Sequence, residues 1–180
     1  VYKYILNKKQ ELKLNIDGYL KDFADFFQSA DNYKVKSDKD GFMDQQIFDS
    51  VYTTMVRFYK VRKFVAEFSM WNLFINPYHC YRDKRTNERL KRQGFYASDT
   101  SQHLEGDAVD CSLSAFKEIT RDNISTIGKA LWEKREEFDI IQIGMYWDKK
   151  TQTGFLHIGF KSTIGRKLNE VIYTKGDWSN

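Results

Sequence analysis

Residues Ser101 to Asp110 read SQHLEGDAVD, a skeleton of S-x-H-x-x-G-x-A-x-D. His103 and Asp110 offer an imidazole nitrogen and a carboxylate oxygen. Both are good donors to a divalent metal. A loop that folds back at Gly106 can bring them onto one ion, because glycine tolerates the backbone conformations such a loop needs. Ala108 is small, so a following strand can pass close behind. A third donor, His157, lies further on in the segment FLHIGF. Two histidines and one aspartate, with a fourth position left to water, form the ligand set of a catalytic zinc ion. A structural zinc site would be closed, usually by thiolates. The two cysteines, Cys80 and Cys111, are not spaced as a ligand pair and are expected to be buried free thiols. The plainer alternative is a loop histidine without a ligand and a satisfied core aspartate.

These residues need elements to hold them. AVDCSL, over 108–113, reads as a short buried strand carrying Asp110. Two further strands are expected at 140–147 and 154–161, the second carrying His157. The intervening DKKTQT has hairpin-turn chemistry. Ile124, Ile127, Leu131 and Trp132 mark the inner face of a helix over 123–137. Upstream, Ile47, Val51, Met55 and Phe58 share a face of a helix over 44–62, and an aromatic, apolar strand follows at 68–75. Tyr2, Tyr4 and Leu6 alternate as in a short strand. Ile16, Leu20, Phe23, Phe26 and Phe27 mark an amphipathic helix over 17–30. The polar stretch 34–41 reads as a linker, and residues 169–180 as an edge strand with a fraying end.

Composition narrows the class. In 180 residues, 41% are hydrophobic and 30% charged, which supports a sizeable core and argues against general disorder. Lys plus Arg number 29 against 25 Asp plus Glu, so the net charge of +4 falls short of a nucleic-acid footprint. The basic run from Arg82 to Arg92 is interrupted by Asp83 and Glu88 and carries no nucleic-acid motif, so no nucleic-acid partner is expected. No apolar run is long enough to cross a membrane, and none is expected as a partner. The first residues lack the basic-then-apolar order of a signal peptide.

Several pieces, in order, resemble the zinc D-alanyl-D-alanine carboxypeptidase and endolysin family. That family includes the vancomycin-resistance dipeptidases and phage cell-wall peptidases, and it shares a fold with the hedgehog signalling domain. The resemblance covers roughly residues 68–161. It rests on Tyr81-Arg82, Asn87, Ser101-Gln102-His103, the helix over 123–137, Phe138-Asp139 and the hairpin bearing His157. It implies an α+β fold: a small, mostly antiparallel sheet with flanking helices, forming a zinc-peptidase-like domain over 68–180. Residues 1–67 would be a helical extension able to dock on a protein partner.

The resemblance also implies roles. His103, Asp110 and His157 would hold Zn²⁺. Arg82 would face the substrate, where a guanidinium can pair with a terminal carboxylate or polarise the scissile carbonyl. Ser101 would hydrogen-bond near the site or cap its loop. The substrate would be a peptidoglycan stem peptide, cut as a D,D-carboxypeptidase or an endopeptidase. A phage- or bacterium-encoded product of this kind, without a signal peptide, would stay in the host cytoplasm until lysis or travel in a phage particle. The family's catalytic carboxylate near the last histidine has no match: the candidate positions hold Gly144, Thr151 and Gly154. Asp148, at the tip of the first hairpin strand, is the nearest acid and the candidate proton shuttle. The competing reading is a catalytically impaired protein of the same fold, with a structural role in a virion or a cell-wall-binding role.

Overall fold

A computed structural model describes residues 45–75, 81–95, 97–114 and 118–178. The strand expected at Tyr2, the helix over 17–30 and the linker over 34–41 lie outside the described residues, as do His79, Cys80 and Tyr96.

Helix α1 spans Gln45–Ser69. Val51, Met55, Phe58, Val61 and Val65 recur at three- and four-residue steps, and each is at most 3% exposed. Burying a side chain of this size stabilises the fold by about 1.5–3 kcal/mol. The helix outruns the expected end at 62 because Val61 and Val65 continue its apolar stripe. It stops where Ser69 Oγ donates back to the Val65 carbonyl at 2.6 Å and Met70 turns left-handed, with φ 59°. Phe68 therefore belongs to the helix, and the strand expected at 68–75 shortens to β1, Asn72–Ile75. The 67/68 division places α1 in the extension, yet its apolar face enters the same core cluster as the strands.

Four more strands complete one sheet: β2 (Ala108–Ser114), β3 (Ile140–Asp148), β4 (Thr153–Phe160) and β5 (Val171–Gly176), in the order β1-β2-β4-β3-β5. Helix α2 covers Lys84–Arg92 and helix α3 covers Arg121–Glu133. A Thr120–Asn123 capping box starts α3, each side chain accepting from the other's backbone N–H. The fold is thus α+β with a mixed sheet. The pairs β1/β2, β2/β4 and β3/β4 are antiparallel, as expected, but β5 runs parallel to β3. The connectivity explains the exception. β4 ends beside the start of β3, with Ile140 opposite Phe160. The chain then crosses to the far side of β3 and enters β5 at Val171, opposite Gln142, so it runs the same way as β3.

Side chains alternate across a strand. Val109, Cys111 and Leu113 of β2, Ile143, Met145 and Trp147 of β3, and Leu156, Ile158 and Phe160 of β4 point to the core. There they meet α1 and Ile124, Ile127 and Leu131 of α3. Gly128 brings α3 close to β3, since a Cβ there would stand 2.6 Å from Met145 Sδ. The alternate residues, including Asp110, Gly144, Phe155, His157 and Tyr173, share the opposite face. Among the described residues no helix is long and apolar enough to cross a membrane.

Candidate metal centre

Asp110 lies directly opposite His157 across the β2/β4 pair, so their side chains leave the sheet side by side. His103 comes from a loop that folds over this face. Ser101 starts a short turn, Gln102–Leu104, and its Oγ accepts from His103 N at 3.4 Å. Gly106 then reverses the chain at φ 74°, packed so closely on α1 that a Cβ would meet Val51 at 2.6 Å. Gln102 lies over Gly159 and donates from Nε2 to the Phe160 carbonyl at 3.0 Å. Ser, Gly and the small strand residues thus have positional reasons to be where they are.

Asp107 is a strut that the sequence reading missed. It is fully buried and accepts from Ser50 Oγ at 2.8 Å and from Thr163 Oγ1 at 3.1 Å. It ties the loop to α1 and to the chain leaving β4. Arg166 adds a second tie, to Glu105 at 2.8 Å and to the Thr100 carbonyl at 3.0 Å. The signal available in the sequence was a second aspartate beside a glycine, in GDAVD, which a metal-centred reading passes over.

Asp110 Oδ1 meets His157 Nδ1 at 2.8 Å and His103 Nε2 at 3.2 Å. The two imidazole rings stand edge to face, with centroids 5.1 Å apart. The three donor atoms lie within 4.8 Å of one another, the only such His/Cys/Asp/Glu trio among the described residues. Tetrahedral zinc with N and O ligands needs donors ~3.4 Å apart. The spacing and the N,N,O donor set fit a zinc-sized ion. Burial pulls the His103 imidazole below its ordinary value, with Asp110 opposing, so the ring favours the neutral form a metal requires.

Arg82 borders the trio. Its backbone N–H donates to the His103 carbonyl at 2.9 Å, and its Nη2 donates to Ser101 Oγ at 3.2 Å. Ser101 therefore caps the turn and also touches Arg82. Arg82 is 6% exposed, and its Nε finds no acceptor among the described residues. Burial lowers the Arg82 pKa from its ordinary value, while the charges of Asp110 and Tyr146 oppose that shift. A buried cation with an orphan donor suits an incoming carboxylate or carbonyl oxygen.

The structure does not bring Asp148 into this group. Asp148 lies four residues along β3 from Gly144, which faces His157, a span of about 13 Å. Its carboxylate is exposed and accepts from Lys150 N at 2.8 Å and Thr151 N at 3.3 Å, closing the β3–β4 turn. Thr151 sits in that turn. Gly154 is packed against Ile124 and Trp147, on the core side. Of the positions where a catalytic acid was sought, only Gly144 lies directly beside a metal ligand, opposite His157. Beside it Tyr146 stacks on Phe155, with centroids 4.3 Å apart and planes 7° apart, and its hydroxyl is 3.2 Å from that of Tyr173.

Comparison with known proteins finds no matching family model, no matching curated protein and no matching solved structure.

Proposed function

We propose that this protein is a zinc-dependent hydrolase that cuts an amide bond in peptidoglycan stem peptides, on a hedgehog-like D-alanyl-D-alanine-peptidase domain. The observation that carries the reading is the convergence of His103, Asp110 and His157, from a loop and two strands, onto one point. A zinc ion held there would polarise the scissile carbonyl and acidify a water molecule. Arg82, whose buried Nε meets no acceptor among the described residues, supports a substrate that presents an oxygen anion, as a free terminal carboxylate does. The resemblance over 68–161 supplies the substrate class, and with it a bacterial or phage setting.

The test is a digest. Zinc-loaded protein is incubated with purified sacculi and new termini are read by mass spectrometry, with metal content assayed on the same samples. New termini that vanish on chelation and in His103→Ala are expected. Protein that holds no zinc would sink the proposal.

A second reading has its own observation. Among the described residues no carboxylate besides Asp110 joins the metal cluster. That favours a protein that keeps the metal and the fold while serving a structural or cell-wall-binding role. Bound zinc without any cleavage of sacculi is its signature.

A further inference from the structure

We infer that the hydrogen-bonded phenol pair of Tyr146 and Tyr173 donates one O–H to the carbonyl oxygen of the scissile bond as it becomes an oxyanion. This deepens the metallopeptidase reading above and rests on it. Four residues form one row across the sheet: Asp110 on β2, His157 on β4, Gly144 on β3 and Tyr173 on β5. Position 144 therefore faces the metal ligands but carries no side chain. Its space is taken from the next strand. A Cβ on Gly144 would stand 2.6 Å from both Cζ and Oη of Tyr173. Directly opposed Cβ atoms are about 4.5–5.5 Å apart, so the Tyr173 hydroxyl lies no more than about 8 Å from the Cβ of His157. A peptide carbonyl bound at the trio spans that gap.

Tyr146 completes the arrangement. Its hydroxyl is 3.2 Å from that of Tyr173, and its ring is held flat against Phe155, two residues before His157. The pair shares the sheet face of Asp110 and His157, and Arg82 joins that face from the His103 loop. Each phenol both donates and accepts, so the two act as one donor unit, and at neutral pH a phenol keeps its proton. A carboxylate at 144 would accept a proton. The phenols instead stabilise negative charge as it develops, a contribution worth ~10²–10³ in kcat when one such donor is removed.

The experiment compares zinc-loaded wild type with Tyr173→Phe and Tyr146→Phe, which keep ring packing. Calorimetry measures binding of D-alanyl-D-alanine and of its phosphinate isostere, whose tetrahedral oxygens imitate the oxyanion. The expected result is roughly a 100-fold loss of phosphinate affinity in Tyr173→Phe. Dipeptide affinity should stay within about threefold, and zinc content should be unchanged. Gly144→Ala, which pushes the phenol aside, should give the same selective loss. Equal phosphinate affinity in wild type and both phenylalanine variants overturns the inference while leaving the metal reading intact. Wild type that binds zinc but neither probe also overturns it, and wild type without zinc overturns the metal reading with it.

Discussion

Asp110 and His157 face each other across neighbouring antiparallel strands, and a single carboxylate oxygen of Asp110 meets both His157 and His103. A register slip of one residue would send Asp110 to the core face and Cys111 to the metal face. The alternation of Val109, Cys111 and Leu113 into the core therefore also aims the aspartate.

Removing any one donor should remove the metal. Asp110→Ala or His157→Ala should weaken zinc binding by more than the ~10–100-fold that outer-sphere changes cost. Calorimetric titration of zinc into chelator-treated protein measures this. Wild-type affinity in both variants would place the ion elsewhere.

Asp148 should be dispensable. Its carboxylate closes a turn about 13 Å along the strand from Gly144. Asp148→Asn should leave zinc binding unchanged and any sacculus cleavage within about twofold, whereas a proton shuttle would be worth ~10²–10⁴. A rate loss of that size would show that the hairpin bends over the metal.

The metal-free protein should lose stability on the acid side. Burial holds the folded-state pKa of His103 below its unfolded value of 6.5. Below 6.5 the unfolded chain binds the extra proton, so this contribution is fully present above 6.5. It declines as pH falls towards the folded value, by at most about 1.4 kcal/mol per pH unit. Thermal melts of chelated protein should show a falling Tm between pH 7.5 and 5.5, with a shallower fall in His103→Asn.

Cys111 should be silent to alkylation in the native state. Burial, with Asp110 beside it, pushes its thiol well above the ordinary range, and the thiolate is the reactive form. Peptide mapping after iodoacetamide treatment should find Cys111 modified only in denaturant. Labelling at the rate of a free thiol would mean that β2 opens readily.

The Asp107 strut should matter to both fold and site. Asp107→Ala removes the acceptor of the buried Ser50 hydroxyl and leaves it only its bond with the exposed Thr163, at a cost of about 1–3 kcal/mol. Denaturant melts should show that loss, and zinc affinity should fall with it because the His103 loop is freed at one end. Unchanged stability would mean that Arg166 alone holds the loop.

Local chemistry made much of this legible in the chain. The spacing from Ser101 to Asp110 named two donors and the turn between them, because Gly106 and Ser101 act through their own backbone and nearest neighbours. Period-two and period-3.6 patterns placed β2, β3, β4 and the inner faces of α1 and α3, since burial acts on each residue in register with its own element. What the sequence left open depends on contacts between distant segments. The parallel entry of β5 follows from where β4 ends, and the end of α1 follows from continued packing of Val61 and Val65. Asp107 is a strut only because Ser50 and Thr163 arrive beside it. The sequence shows an empty glycine at 144, and only the tertiary structure fills it, because a missing side chain on one strand can be supplied by the neighbour across the sheet.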